Sequence, residues 1–238
     1  TFALMLYADL DLSVIDEMPK GRKPIQTYFV PQNRRADLYR HLAENAKNGE
    51  RSYVICPLIE PTEGYEGLSL SELETECKTL LPNLPVGILF GQMKDTEKNA
   101  AMEAFRTGST PILLSTTVVE VGVDVPNATC IVIEQADRFG LAALHQLRGR
   151  VGRGSEQSYC FLIYRQSITE NGIERMKAIR ETTDGFKIAE EDLKLRGPGE
   201  IMGTAQSGEL TFKIADPVRD KDIMMEARKD AFRAVGGI

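Results

Sequence analysis

Three arginines fall within six residues in Gln146-Leu-Arg148-Gly149-Arg150-Val-Gly152-Arg153-Gly154. Guanidinium groups are planar, permanently charged forks that grip an anion through paired donors, and glycines between them let the backbone bend until the forks converge. Phosphate is the ligand such a cluster would take. The same residues would also suit a solvated helix end, where basic side chains meet exposed carbonyls. A second group, Ser115-Thr116-Thr117-Val-Val-Glu120-Val-Gly122-Val-Asp124-Val-Pro126, follows directly on an apolar run. Hydroxyls at a strand end offer donors to a phosphate or sugar. Gly122 would let a ligand approach the backbone, and the Asp124 carboxylate could accept from a ribose hydroxyl. A polar loop closed by Pro126 would carry the same residues.

Both groups need a scaffold, and short apolar runs alternate with longer helical patterns along the chain. Strands are expected at 25–30, 52–58, 86–90, 111–115, 129–133 and 158–163, and helices at 34–48, 71–81, 96–107 and 141–148. Such alternation predicts an α/β fold, a parallel sheet with helices on both faces and ligands beyond the carboxyl ends of its strands. After Tyr164 the pattern changes to a helix at 173–181, a polar stretch broken by glycines through Gly208, and an amphipathic helix at 221–234 that Gly236-Gly237 would cap. Within that stretch Phe186, Ala189 and Leu193 share one helix face, suited to packing against a neighbour. A boundary is expected near 165, between the α/β domain and a helical, loop-rich region.

Composition narrows the classes further. The 238 residues are 42% hydrophobic and 27% charged, values that exclude a disordered tail. No apolar run approaches the roughly 20 residues that cross a bilayer. The first residues, 1–12, are apolar without a basic leader and without an initiator Met, so the chain is expected to begin inside a longer protein. Four cysteines, Cys56, Cys77, Cys130 and Cys160, form no CxxC pair and are expected to be buried thiols in a reducing compartment, the cytoplasm. His41 is expected on a helix surface, and Met224 and Met225 in helix packing. With 29 basic against 35 acidic residues, the net charge of −6 gives no global attraction to nucleic acid. Phosphate binding must be local.

Taken together, Gly122 and Asp124, followed about 25 residues later by Gln146-x-x-Gly149-Arg150-x-x-Arg153, resemble motifs V and VI of superfamily-two helicases and translocases. The stretch Phe186-x-x-Ala189-x-x-Asp192-Leu193-x-x-Arg196-Gly197-Pro198-Gly199-Glu200-x-x-Gly203-x-x-Gln206-Ser207-Gly208 looks like the translocation motif shared by RecG helicases and the Mfd transcription-repair translocase. The Arg-Gly-Pro-Gly-Glu form, the opening Tyr7-Ala-Asp9-Leu-Asp11-Leu-Ser-Val-Ile-Asp16-Glu17 and the stretch 19–23 all resemble the RecG family of branched-DNA helicases.

That resemblance implies an ATP-dependent DNA helicase of which this chain is the carboxyl-terminal motor half. It divides the chain into a connector at 1–24, a second RecA-like motor domain at 25–165 and a helical region with the translocation motif at 166–238. A first motor domain and a branched-DNA wedge would precede it. No GxxxxGK[ST] and no Asp-Glu-x-His box occurs in these residues. The Mg²⁺ ligands and the catalytic Glu are therefore implied to lie in the first motor domain, and the chain alone is expected not to hydrolyse ATP. By the same resemblance Arg150 and Arg153 are the arginine fingers, Gln146 and Gly149 lie at the phosphates, and Gly122 and Asp124 lie by the ribose and the domain interface. His145 is implied to lie near the site without acting as its base. Thr116, Thr117 and Gly91 are implied to touch the DNA backbone at the opposite rim of the sheet, and Arg196 and Gln206 to couple closure to movement. The chain departs from the family at Phe90 and Gln92, which stand where His and Arg are usual and are left out of the contact set. The implied partners are branched DNA, as forks and Holliday junctions, and the preceding domains of the same chain, with a monomer expected and no membrane. Two other readings stay open. One is an Mfd-like translocase, against which Pro198 and the short run after the motif speak; the other is a non-catalytic DNA-binding module.

Overall fold

The computed structural model describes residues 22–60, 68–116, 125–196 and 220–234. Its strands are β1 (Gln26–Pro31), β2 (Arg51–Ile55), β3 (Val86–Leu89), β4 (Ile112–Ser115), β5 (Ala128–Ile133) and β6 (Tyr159–Tyr164), all parallel and ordered β1-β6-β5-β2-β4-β3. β2, β4 and β5 are buried along their whole length, as unbroken apolar runs in a sheet covered on both faces should be. β2 stops at Ile55, short of the expected Leu58. The Cys56 amide still donates to the Ser115 carbonyl at 2.8 Å, and Pro57 has no amide with which to continue.

The helices are α1 (Arg35–Lys47), α2 (Leu70–Leu80), α3 (Asp95–Thr107), α4 (Leu141–Arg148), α5 (Glu170–Glu181), α6 (Gly185–Arg196) and α7 (Lys221–Ala234). Local chemistry sets their ends. The Ser69 hydroxyl accepts from the Glu72 amide while the Glu72 carboxylate accepts from the Ser69 amide at 2.8 Å, a reciprocal cap that starts α2. Thr169 accepts from the Gly172 amide at 3.1 Å, so α5 begins three residues before the expected Ile173. Gly108, at φ 89°, ends α3 in the left-handed region, where a side chain is disfavoured.

Two layers of helix enclose the sheet. Leu38, Tyr39 and Leu42 of α1 and Leu70, Leu73 and Cys77 of α2 pack with Val54, Ile112, Leu114, Cys130 and Val132 on one face. Fully burying each large aliphatic side chain here contributes about 1.5–3 kcal/mol. On the other face the Phe105 ring of α3 lies 4.6 Å from the Tyr53 ring, and the Arg180 guanidinium of α5 lies 4.7 Å from the Phe29 ring. The strand register puts Tyr53, Ile131, Cys160 and Thr27 side by side, so α3 and α5 share that face.

The chain forms two compact units, Lys20–Glu191 and Thr1–Pro19 with Asp192–Ile238. The first carries the whole sheet and also α5, which packs on β1 beyond the boundary expected at 165. The expected packing face of α6 is corrected by the structure. Phe186 is 54% exposed and Ala189 is exposed, while Ile188 is buried. The phase is set from its start, where the Asp184 carboxylate accepts from the Phe186 amide at 2.9 Å and leaves Ile188 to turn inward. The side chains of Leu193, Met224 and Met225 lie outside the described residues, as do Gly236 and Gly237. Among the described residues no helix is long and apolar enough to cross a membrane.

Candidate functional site

α4 buries Leu141, Leu144, Leu147 and Arg148, and turns Gln146 to solvent. Its end is a tightened turn in which the Arg150 amide donates to the Leu147 carbonyl at 3.0 Å. Gly149 has an ordinary right-handed conformation, so the sharp bend belongs to Gly152, at φ 78°. A Cβ on Gly152 would lie 2.9 Å from Cγ1 of Ile25, and one on Gly154 would lie 2.6 Å from the Pro126 carbonyl oxygen. Ile25 immediately precedes β1 and Pro126 lies two residues before β5, so the arginine turn sits at the amino rim of the sheet. The expectation of ligands beyond the carboxyl ends therefore does not hold for it, because α4 runs back along the sheet and delivers its last residues to the opposite edge.

The arginines divide there. Arg150 is partly exposed, and Gln146, Gly149 and Arg153 are exposed. Among the described residues the side chains of Gln146 and Arg150 make no hydrogen bond or ion pair, and remain available to an anion arriving from outside. Arg148 is not part of that set. It is 2% exposed and donates to the Ile179 carbonyl of α5, with the His145 Nδ1 at 3.1 Å. Burial lowers its pKa, yet a guanidinium stays charged, and an inward-facing charge needs such acceptors. Its role is structural.

Pro126 is two residues beyond Asp124, so the contact with Gly154 brings the exit of the second motif against the end of the first. Gly122, Asp124 and Thr117 themselves lie outside the described residues, as does Gln206; Arg196 ends α6, and its side chain is likewise undescribed. At the carboxyl rim, Gly91 and Thr116 follow the register partners Leu89 and Ser115 of β3 and β4. Gly91 lies in a turn closed by the Met93 amide donating to the Phe90 carbonyl at 3.2 Å. Thr116 is 5% exposed, its amide 3.4 Å from the Leu89 carbonyl, and its buried Oγ1 has no partner among the described residues. The arginine turn and this pair occupy opposite rims.

Sequence reasoning missed a charged turn after β5. Glu134, 2% exposed, accepts from the Tyr39 hydroxyl at 2.8 Å and has the Arg35 Nε at 3.4 Å; Arg35 also pairs with Glu76. Burial pushes the Glu134 carboxyl above the usual carboxylate range, while Arg35 and the Tyr39 hydroxyl pull the other way. Gln135 follows in the left-handed region at φ 50°, and Asp137 pairs with Arg165 at 2.8 Å. Carboxylates directly after an apolar strand were a visible cue; nothing in the sequence marks the backbone of Gln135. The cysteines are buried and free, with the Cys56, Cys77 and Cys160 thiols pushed up to about 12 by burial and Cys130 pushed up as well, so they carry no thiolate chemistry. His41 is exposed, its Nε2 3.4 Å from the Asn45 amide.

Gln146 and Arg150, with Arg153 exposed beside them, are donors of the kind an oxyanion takes. Among the described residues no cluster of His, Cys, Asp or Glu could hold a metal ion.

The chain is similar to several known proteins. ATP-dependent DNA helicase RecG of Escherichia coli O157:H7 is 45% identical over 230 residues, which cover 96% of this chain and 33% of that protein. RecG of Aquifex aeolicus (strain VF5) is 49% identical over 236 residues, 97% of this chain and 30% of that protein. The chain thus spans about a third of the length of the curated relatives it matches. The solved structure of RecG bound to a three-way DNA junction is similar at a TM-score of 0.72 and 44% identity, over 93% of this chain and 28% of that one. Residues 182–237 match the family "ATP-dependent DNA helicase RecG, domain 3, C-terminal". Residues 33–155 match the helicase conserved C-terminal domain. Because this last match runs from the entry to α1 through the arginine turn, the chain belongs to the helicase conserved C-terminal domain family.

Proposed function

We propose that the chain is the carboxyl-terminal motor half of an ATP-dependent helicase that remodels branched DNA, forks and Holliday junctions. The observation that carries this reading is the pair of opposite rims, with Gln146 and Arg150 open to an anion at one and backbone-contact candidates at the other, in a chain 44% identical to a RecG solved on a three-way junction. In this reading the connector is 1–24, the motor domain 25–165 and the translocation region 166–238. A companion motor domain of the same protein supplies the Mg²⁺ ligands and the base, and the protein works as a monomer in the cytoplasm, where free thiols persist.

ATP is the substrate, and negative charge must be stabilised on its γ-phosphoryl oxygens as the bond to the leaving group breaks. Arg150 and Arg153 supply that stabilisation across the interdomain cleft, Gln146 and Gly149 meet the same phosphates, and Gly122 and Asp124 meet the ribose. Because these side chains project from a rigid sheet, they reach the nucleotide only when the cleft closes, which ties hydrolysis to a hinge cycle. Thr117 and Gly91 hold the sugar-phosphate backbone, with Thr116, whose hydroxyl is buried at the same rim, behind them, a contact without sequence code, as translocation requires.

The test uses the 238 residues and the full-length protein side by side. The longer protein hydrolyses ATP in a DNA-dependent way and unwinds model forks; the isolated chain binds ATP weakly and turns none over. Stoichiometric turnover by the chain alone, or a full-length protein indifferent to DNA, would sink the reading. A second measurement separates motor from transmission. Arg196→Ala or Gln206→Ala in the full-length protein should retain most DNA-stimulated ATP turnover and lose about tenfold or more in fork unwinding, since the nucleotide contacts are left in place. Parallel loss of both activities, or of folded protein in a melt, would place these residues in the site or the fold.

A further inference from the structure

His145 precedes Gln146 on α4 and is half-buried, and its two ring nitrogens face different elements. Nδ1 lies 3.1 Å from the Arg148 guanidinium. A guanidinium only donates, so Nδ1 accepts and the ring proton belongs on Nε2. Nε2 faces Gly185, the first residue of α6, so closely that a Cβ there would lie 3.2 Å from it. Gly185 has no left-handed φ to require glycine, so its lack of a side chain is explained by the imidazole that fills the space. Burial and Arg148 lower the imidazole pKa while Asp184 raises it, and the net lowering keeps the ring neutral and able to accept. Arg148 in turn donates to the Ile179 carbonyl of α5. A single side chain therefore bonds the arginine that ties α4 to α5 and fills the space beside the first turn of α6, one residue away from the glutamine proposed to face phosphate.

We propose that His145 is a positioning residue that fixes the first turn of α6 against the Gln146–Arg153 turn. This deepens the functional reading above and rests on it for its consequence: with the strut in place, displacement of the arginine turn displaces the start of the translocation segment. Gly185 and His145 form a matched pair of absent and present bulk, which makes the contact separable from folding.

The experiment is a double-mutant cycle in the full-length protein, read as fork unwinding per ATP hydrolysed and as the midpoint of thermal unfolding. His145→Ala should lower unwinding per ATP by about fivefold or more, with KM for ATP close to wild type. Gly185→Ala should lower the same ratio, because its methyl presses on the ring. In the double variant the methyl enters the space left by the imidazole, and the loss falls well short of the product of the single losses. His145→Asn retains an acceptor near the Nδ1 position for Arg148, and so guards against loss of fold; it should still lose unwinding per ATP, since it no longer reaches Gly185. Independent single effects at 145 and 185, or an unwinding loss matched by an equal ATPase loss, overturn the proposal. The thermal cycle reads the contact even if the wild-type protein shows no DNA-dependent ATP turnover, an outcome that would overturn the helicase reading instead.

Discussion

Arg150→Ala in the full-length protein is expected to lower kcat for ATP by about 10²-fold or more while DNA affinity stays close to wild type. The size follows from what the side chain would be doing. An arginine supplied across an interface to a transferring phosphoryl group contributes about 10³ to 10⁵ in rate, and part of that survives when a neighbouring arginine remains. Arg153→Ala should behave alike. Neither should unfold the protein, because Arg150 is partly exposed and without a partner among the described residues, and Arg153 is exposed. Truncating Arg150 leaves no buried group unsatisfied. Stopped-flow ATPase, DNA titration and a thermal melt on one preparation decide the matter. A drop in DNA affinity with kcat preserved would put these arginines on the wrong ligand.

The second large effect is expected at Gly154. A methyl there would lie 2.6 Å from the Pro126 carbonyl oxygen, and because the obstacle is backbone, one of the two chains must move. Gly154→Ala should cost about 1–3 kcal/mol in stability, the range for inserting bulk into filled space. That corresponds to a fall of several degrees in Tm for a unit of this size. The displaced turn carries Arg153 with it, so kcat for ATP should fall about tenfold even at temperatures where the variant is fully folded. Gly149→Ala is the control. Its Cβ would meet the Gln146 carbonyl at 3.4 Å, an ordinary contact, and its backbone is right-handed, so the melt should barely change. Equal Tm for the two variants would mean that the turn does not depend on its seat against Pro126.

Much of the scaffold could be read from residue order. The six strands and the helices α1 to α5 lie where the alternation of apolar runs and 3.6-residue patterns puts them, because central parallel strands must be apolar on both faces and leave an unbroken run. The ends were less legible, since they depend on hydroxyls such as Ser69 and Thr169, whose capping is decided by geometry. Within the arginine cluster, composition marked three equivalent side chains. Only the packing of α4 on α5 distinguishes Arg148, which faces a carbonyl, from Arg150, which faces out. The exposed face of α6 was misread for a similar reason: Phe186 is apolar, yet its place in the first turn after Asp184 fixes where it points. The charged turn at Glu134 escaped notice because a carboxylate after a strand reads as solvated until the Tyr39 hydroxyl is seen to cover it.

The position of the arginine turn at one edge of the strands, with Gly91 and Thr116 at the other, has a kinetic counterpart. Strands of four to six residues, at about 3.3 Å each, hold the two edges more than about 10 Å apart. Ligands seated at the two edges cannot collide, so any effect of one on the other must pass through the protein. On the proposed reading, whatever factor a polynucleotide adds to the affinity for nucleotide, the nucleotide must add to the affinity for the polynucleotide, since both would act on one equilibrium between open and closed domains. Measuring the dissociation constant of each in the presence and absence of the other should close that thermodynamic box, and the shared factor would give the free energy available to the stroke.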